Sequence, residues 1–183
     1  MSLPLRQIVQ VVAIVVWVRH FSGAARTFSP VQGERPSPSI YLFSLAIFIL
    51  SYRLFNARFE TLLVIPGLAA LVGSLVLFEW TRRSVRGRFF SYIYSKDTPQ
   101  FLWTAGPYQY IRNPFYASYL LSYIGAAMMF PGLVAFAVVA AMIAYFASAA
   151  RFEERKFASS PLAGEYEAYR RRTGRFIPRL GSA

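Results

Sequence analysis

Apolar residues dominate five stretches of the chain, and polar or charged residues collect between them. The stretches are Leu5–Val18, Ile40–Phe55, Thr61–Trp80, Pro114–Phe130 and Leu133–Ala150. Most of them approach the roughly 20 apolar residues that a helix needs to cross a bilayer, and the first is short for that purpose. The pattern predicts an all-α fold, a polytopic membrane helix bundle with about five transmembrane helices.

The connections between these stretches differ in character. Phe130-Pro-Gly132 separates the last two, and because Pro and Gly together interrupt a helix, we expect a tight antiparallel hairpin there. The connection Arg19–Ser39 holds several Gly and Pro residues and is predicted to be irregular. The segment Arg86–Tyr94 alternates basic and aromatic residues, a pattern typical of the headgroup layer, where it would serve as an anchor or as a substrate gate.

Composition supports a membrane location and argues against several kinds of site. Hydrophobic residues make up 56% of the 183 residues, more than a water-soluble domain of this size requires. Because the chain has no cysteine and His20 is its single histidine, we expect neither disulfides nor a metal site. The net charge of +12 is concentrated beside the apolar stretches. A nucleic-acid partner would instead require a basic soluble face, so none is expected.

The basic residues also predict an orientation. If Arg19–Ser39, Thr81–Asn113 and the tail from Arg151 lie on one side of the membrane, that side holds most of the 20 Lys and Arg residues. The opposite side then keeps only Arg6, Arg53 and Arg58. By the positive-inside rule, we expect a multi-pass protein of the inner cell membrane whose C-terminus is cytoplasmic.

Candidate chemistry is concentrated where the fourth apolar stretch begins. Asn113 precedes a proline, an arrangement typical of a helix N-cap followed by Pro at the first helical position. The free backbone N–H groups there, with Arg112 beside them, also suit a carboxylate or phosphate, so Asn113 is either a cap or a ligand-binding residue. Tyr116, Tyr119 and Tyr123 follow on one helical face. They are interfacial anchors or, for the two deeper ones, the lining of a cavity.

A second charged cluster stands where the fifth apolar stretch ends. Arg151, Glu154 and Arg155 share one helical face, and Glu153 is turned away by about 100°. Alone, this would be a surface ion-pair cluster of little energetic value. The predicted hairpin returns the cluster to the depth of Arg112, and we therefore expect the two clusters to face one shared pocket.

Such a pocket suits a zwitterionic ligand. A carboxylate side chain would bind an α-amino group, and arginine or helix-start N–H groups would bind an α-carboxylate. S-adenosylmethionine carries both groups, together with a sulfonium cation and an adenine ring that tyrosine faces accommodate. The residues are compatible with this cofactor but do not single it out.

Motifs in the C-terminal part of the chain resemble those of the isoprenylcysteine carboxyl methyltransferase family and of related membrane phospholipid methyltransferases. That family has Gly-x-Tyr, Arg-His-Pro-x-Tyr and Arg-x-Glu-Glu elements, then a tail with Gly-Glu-Glu-Tyr-x-x-Tyr and a late Pro. The corresponding residues here are Gly106-Pro-Tyr108, Arg112-Asn-Pro-Phe-Tyr116, Arg151-Phe-Glu-Glu154, Gly164-Glu-Tyr-Glu-Ala-Tyr169 and Pro178. Two departures stand out. Asn113 replaces the family's His, which turns an imidazole contact into an amide contact, and the tail keeps only Glu165 before its first tyrosine.

The resemblance implies an S-adenosylmethionine-dependent methyltransferase acting at the membrane surface on a lipid or lipidated substrate, either an isoprenylcysteine-like carboxylate or a phospholipid amine. It implies N-terminal transmembrane helices and loops at 1–103 and, within the same structural domain, a hairpin and cytoplasmic tail at 104–183 that form the cofactor site. The implied cofactor-binding residues are Gly106, Tyr108, Arg112, Asn113, Tyr116, Glu153 and Glu154. The implied catalytic residues, which would orient an anionic substrate group, are Arg151 and Arg112.

Two alternatives stay open. Sterol reductases resemble the same C-terminal pattern, and an NADPH-dependent reductase would use Arg170, Arg171 and Arg172 for the 2′-phosphate, although these residues equally suit a positive-inside anchor. A non-enzymatic lipid-binding membrane protein would require none of the candidate site residues.

Overall fold

The computed structural model describes residues 3–29, 39–56, 61–86, 90–91 and 98–179. Most of them belong to six helices: α1 (Leu3–Thr27), α2 (Ser39–Asn56), α3 (Thr61–Ser84), α4 (Pro114–Met129), α5 (Leu133–Ala158) and α6 (Ala163–Arg172). Two short strands, β1 (Phe28–Ser29) and β2 (Phe90–Ser91), pair in parallel, and one turn of 3-10 helix spans Gly106–Gln109. The predicted all-α class is confirmed.

Three helical segments within the described part of the chain are long and apolar enough to cross a membrane. They are Leu5–Thr27, Leu62–Ser84 and Leu133–Ala158. Helix α4 has 16 residues, and its length of about 24 Å is less than the roughly 30 Å of a bilayer's hydrocarbon core. Helix α2 contains a shorter apolar segment, Ser44–Arg53. The membrane helix bundle is confirmed, and the count of five spans stays a prediction.

Helix α1 continues to Thr27, so the loop predicted to begin at Arg19 is wrong over its first part. Residues 19–27 of α1 are stabilised by contacts with α3, where Arg19 Nη2 lies 2.5 Å from Glu79 Oε1. Packing against a neighbouring helix keeps the chain helical here, an effect that the Gly and Pro content of the segment does not reveal. The rest of that loop, residues 30–38, and most of the predicted Arg86–Tyr94 anchor lie outside the described residues.

Helices α3 and α4 pack antiparallel, and two glycines allow their backbones to approach closely. A Cβ on Gly67 would lie 2.7 Å from the carbonyl oxygen of Gly125, and a Cβ on Gly125 would lie 2.7 Å from that of Gly67. The turn Phe130–Gly132 then leads into α5, which confirms the predicted hairpin. The start of α4 and the ends of α1, α3 and α5 therefore meet at one end of the bundle, called the site end below.

The tail folds back onto the residues that precede α4. Ile111 and Gly174 form a parallel bridge, in which Arg112 N donates to Gly174 O at 2.8 Å and Gly174 N donates to Tyr110 O at 3.0 Å. A Cβ on Gly174 would overlap the carbonyl oxygen of Ile177, so this turn requires glycine. The bridge holds α6 across the site end.

Candidate functional site

A cavity of about 330 Å³ lies at the site end. This volume falls at the lower end of the range of small-molecule sites, which begins at about 300 Å³. Its walls come from the segment 99–103, which has no regular secondary structure, the residues around the start of α4, the end of α5, and α6. The residues that line it are Phe28, Pro99, Gln100, Phe101, Leu102, Trp103, Tyr108, Arg112, Asn113, Phe115, Tyr116, Glu153, Lys156, Phe157, Tyr166 and Tyr169.

Glu153 is the only carboxylate among the described residues that line the cavity. Tyr116 donates its hydroxyl to Glu153 Oε1 at 2.6 Å. The ring of Tyr116 is supported by Phe146, with ring centroids 5.0 Å apart. The carboxylate is therefore positioned by the facing helix, and it retains acceptor capacity for a cation or an N–H group in the cavity. Successive residues of a helix are rotated by about 100°, so the side chain of Glu153 faces the cavity while that of Glu154 faces the tail.

Glu154, in contrast, is engaged with the tail and does not line the cavity. Its Oε1 lies 3.0 Å from Arg112 Nη2, and its Oε2 lies 2.6 Å from Arg175 Nη2. The hydrogen bond from Arg175 to this carboxylate raises the pKa of Arg175 above its usual value. Arg112 Nη1 also donates to the carbonyl oxygens of Arg170, at 3.2 Å, and of Thr173. This network ties α4, α5 and the tail together. Arg112 and Glu154 therefore lie close together, as predicted. They form an ion pair with each other, whereas the prediction had both of them facing a ligand.

Asn113 occupies the predicted N-cap position, and Pro114 is the first residue of α4. The predicted capping role of its side chain is wrong, because the side chain makes no capping hydrogen bond. Its Nδ2 instead donates to the carbonyl oxygen of Arg175 at 3.2 Å, and its backbone N–H donates to the same oxygen at 3.1 Å. The folded-back tail brings this oxygen within reach of both groups. Asn113 also lines the cavity.

Tyr108, in the 3-10 turn, also lines the cavity. Its carbonyl oxygen accepts a hydrogen bond from the Tyr169 hydroxyl at 2.7 Å, which attaches the 3-10 turn to α6. Desolvation, followed by the nearby charge of Glu153, raises the pKa of the Tyr108 hydroxyl well above its usual value. The hydroxyl therefore stays protonated and is a hydrogen-bond donor at this wall.

Gly106 and Arg151 are predicted site residues that do not line the cavity. Gly106 has a φ of +62°, and a Cβ there would lie 2.5 Å from Ser84 Cβ, so this glycine packs the 3-10 turn against α3. Arg151 is exposed on α5. The two deeper tyrosines, Tyr119 and Tyr123, are buried in the bundle core rather than placed in the cavity lining.

Sequence reasoning missed the aromatic wall and one cation. Phe157 and Tyr166 stack with ring centroids 4.6 Å apart and planes inclined by 9°. Tyr166 and Tyr169 stand three residues apart in the tail motif, so helical spacing was a usable signal for them. The segment around Phe101 has no periodicity that would reveal its position. Lys156 lies one helical turn after Glu153 and lines the same cavity. Within the described ranges, no group of three or more His, Cys, Asp or Glu side chains could hold a metal ion.

An apolar helix bundle with an aromatic and ionisable cavity at one end of its helices is the architecture of a membrane protein with a candidate small-molecule site. Residues 62–160 match the model of the phospholipid methyltransferase family, and the chain belongs to that family. The matched range runs from α3 to the end of α5 and includes Arg112, Tyr116 and Glu153, which confirms the resemblance. No curated protein matches the chain. Family membership makes the protein a membrane methyltransferase with a lipid as the expected class of acceptor.

Proposed function

We propose that the protein transfers the methyl group of S-adenosylmethionine to a lipid or lipidated acceptor. When bound, this cofactor supplies an electrophilic methyl group on a sulfonium centre. The observation that carries the proposal is the pair of Tyr116 and Glu153, which places an oriented carboxylate in an aromatic cavity. Family membership supports methyl transfer as the chemistry.

The residues of the cavity fit the groups of this cofactor. Glu153 is suited to the α-ammonium group, and Lys156, which lines the same cavity, is suited to the α-carboxylate. The faces of Tyr166 and the neighbouring aromatic residues accommodate an adenine ring and a sulfonium cation by stacking and cation–π contacts. Tyr108 and Asn113 add hydrogen-bonding groups to the lining.

The remaining candidate residues act on the walls of the cavity in this proposal. Arg112 and Glu154 connect α4, α5 and the tail, and Gly106 allows the 3-10 turn to lie against α3. Arg151, exposed on α5, is retained together with Arg112 as a candidate for orienting an anionic group of the acceptor.

The acceptor group is a carboxylate or an amine. A carboxylate is ionised near neutral pH, so its methylation depends on alignment and desolvation rather than on a base. An amine must first lose a proton, and Glu153 is the carboxylate available, because Glu154 is engaged by two arginines. Glu153 cannot accept that proton while it binds the cofactor's ammonium group, so an amine acceptor requires the residue to change partners.

The site end of the bundle would face the cytoplasm of the inner membrane, with the C-terminal tail on that side. Arg19, Arg82 and Arg112 belong to this end, whereas Arg53 lies near Gly132 at the opposite end. The positive-inside rule supports this orientation. Cofactor would then reach the cavity from the cytoplasm and the acceptor from the membrane.

Calorimetric titration of the detergent-solubilised protein with S-adenosylhomocysteine tests the proposal. The parent is expected to bind, and Glu153→Gln should lower the affinity about tenfold or more, since a charge-assisted contact is removed. Arg155→Gln is the matched control, because Arg155 is exposed near the end of α5 and does not line the cavity. It should bind like the parent.

Two other results would each overturn the proposal. Binding of NADPH without binding of S-adenosylhomocysteine would identify a reductase. Absence of any ligand-dependent rise in melting temperature would favour a non-enzymatic lipid-binding protein. If binding is found, transfer of labelled methyl groups to phosphatidylethanolamine or to a prenylcysteine would distinguish the two acceptor classes.

A further inference from the structure

A second cleft, about 600 Å³ in volume, is lined mainly by α6 and by the tail that follows it. Its lining contains five arginines and one glutamate: Arg112, Arg170, Arg171, Arg175, Arg179 and Glu167. Below, it is called the tail cleft. Arg112 lines both this cleft and the aromatic cavity. The other four arginines do not line the aromatic cavity and have no ligand in the proposed methyl transfer.

The arginines retain the capacity to bind an anion. Arg170 and Arg171 share the single carboxylate of Glu167, at 2.8 Å and 3.3 Å. Such exposed ion pairs are weak, and each guanidinium has five N–H donors. Arg179 Nη1 donates to the carbonyl oxygen of Arg171 and is bonded to no carboxylate among the described residues. The cleft is therefore strongly positive even after its internal ion pairs are counted.

The position of the tail cleft indicates where the anion comes from. Arg112 stands two residues before the start of α4, and Glu154, its partner, lies in the last turns of α5. The cleft thus lies at the level where the apolar helices end. Ile177, between the arginines, has 77% of its surface exposed. Arginines interleaved with an exposed aliphatic side chain are typical of a surface that enters the headgroup layer.

We propose that the tail cleft binds the phosphate of an anionic phospholipid in the leaflet at the site end. The chemistry is a phosphodiester with net negative charge, held by the fork geometry of the arginines. This inference goes beyond methyl transfer, because it assigns a lipid-binding function to α6 and to the tail that follows it. A bound headgroup would also hold the tail against the membrane.

The test is a titration of the full-length protein in an uncharged detergent. Short-chain phosphatidylglycerol, short-chain phosphatidylcholine and inorganic phosphate are the three probes, and the shift in melting temperature is the readout. The parent should be stabilised by phosphatidylglycerol and not by phosphatidylcholine. A response to inorganic phosphate equal to the response to phosphatidylglycerol would overturn the lipid assignment in favour of a free anion.

Variants locate the binding. The double variant Arg171→Gln, Arg179→Gln should weaken phosphatidylglycerol binding roughly 30-fold, since each cation near an anionic surface contributes a factor of about five. Both side chains are exposed, so folding should not be affected. The matched double variant Arg26→Gln, Arg155→Gln removes the same charge from exposed positions at the site end, and it should bind like the parent. Equal losses in the two double variants would overturn the assignment to the tail cleft.

Two further measurements separate this proposal from its alternatives. Arg171→Lys, Arg179→Lys keeps the charge and should retain most of the binding. The affinity for S-adenosylhomocysteine should be unchanged in the cleft double variant, because neither residue lines the aromatic cavity. Loss of both ligands together would mean that the substitutions disrupt the tail as a whole, and the separate lipid site would be rejected.

Discussion

Arg112 Nη2 lies 3.0 Å from Glu154 Oε1, although 42 positions separate the two residues in the chain. The other oxygen of the same carboxylate accepts a hydrogen bond from Arg175 at 2.6 Å. One carboxylate therefore joins the start of α4, the end of α5 and the tail. Its neighbour Glu153 is directed into the cavity, so two adjacent glutamates have separate tasks.

Replacing Glu154 by alanine should destabilise the fold. The change leaves Arg112 without its carboxylate in a site where the side chain is only 9% exposed, and breaking such a pair costs about 3 kcal/mol. Denaturant unfolding in detergent measures the loss. Glu165→Ala removes the same charge from an exposed position on α6, where the expected loss is below about 1 kcal/mol. Similar losses in the two variants would show that the network contributes little.

Replacing Tyr116 by phenylalanine should weaken ligand binding more than it weakens the fold. The ring keeps its packing on Phe146, whereas the 2.6 Å hydrogen bond to Glu153 is lost. We expect the affinity for S-adenosylhomocysteine to fall about tenfold, which corresponds to roughly 1.4 kcal/mol. Tyr123→Phe removes a hydroxyl on the same helix, outside the cavity lining, and should leave the affinity unchanged. An unchanged affinity in Tyr116→Phe would remove this hydroxyl from the site.

Replacing Gly106 by alanine should disturb the 3-10 turn. Its φ of +62° is unfavourable for a residue with a side chain, and the new Cβ would lie 2.5 Å from Ser84 Cβ. The two effects together should cost about 2 kcal/mol, measured as a shift in the unfolding midpoint. Adding Ser84→Gly relieves the contact but not the backbone strain, so it should restore only part of the stability. Full recovery would mean that the backbone conformation is not strained for alanine.

Two glycines of the tail provide a contrasting pair. Gly174→Ala places a Cβ against the Ile177 carbonyl oxygen, whereas a Cβ on Gly164 meets nothing within 4 Å. Gly174→Ala should therefore break the bridge to Ile111 and lower both the melting temperature and the S-adenosylhomocysteine affinity. Gly164→Ala lies within α6 and should be neutral or stabilise by up to about 1 kcal/mol. Equal behaviour of the two variants would contradict the role of the bridge.

Hydropathy was sufficient to predict the five apolar helices, whereas α6 was not predicted. The predicted starts of the third, fourth and fifth apolar stretches coincide with those of α3, α4 and α5. The apolar stretches end at Val18 and Ala150 because hydropathy falls at the first charged residues, whereas α1 continues to Thr27 and α5 to Ala158. The helical continuation beyond Ala150 was predicted from the spacing of Arg151, Glu154 and Arg155, but the continuation beyond Val18 was not. Arg19 shows the reason, since its charge is satisfied by Glu79 on a neighbouring helix.

The cavity was only partly predictable. Tyr116 and Asn113 could be identified because the proline that begins α4 gives their helical position. The capping role of Asn113 was predicted from its position before Pro114 alone, and the assignment of Glu154 to the cofactor stays a prediction. The tail supplies Arg175, which engages both residues. Such long-range contacts leave no periodic signal in the sequence. The segment around Phe101 has no periodic pattern either, so its place in the cavity wall could not be predicted.

The bridge between Ile111 and Gly174 has a consequence for biogenesis. The apolar helices can enter the bilayer as they leave the ribosome, but one wall of the cavity is supplied by α6, which is synthesised after all of them. While α6 is still inside the ribosome, the apolar helices can already lie in the bilayer, but the cavity lacks the wall that α6 supplies. During biosynthesis the cavity can therefore be completed only once α6 has emerged, after every apolar helix that supplies its other walls.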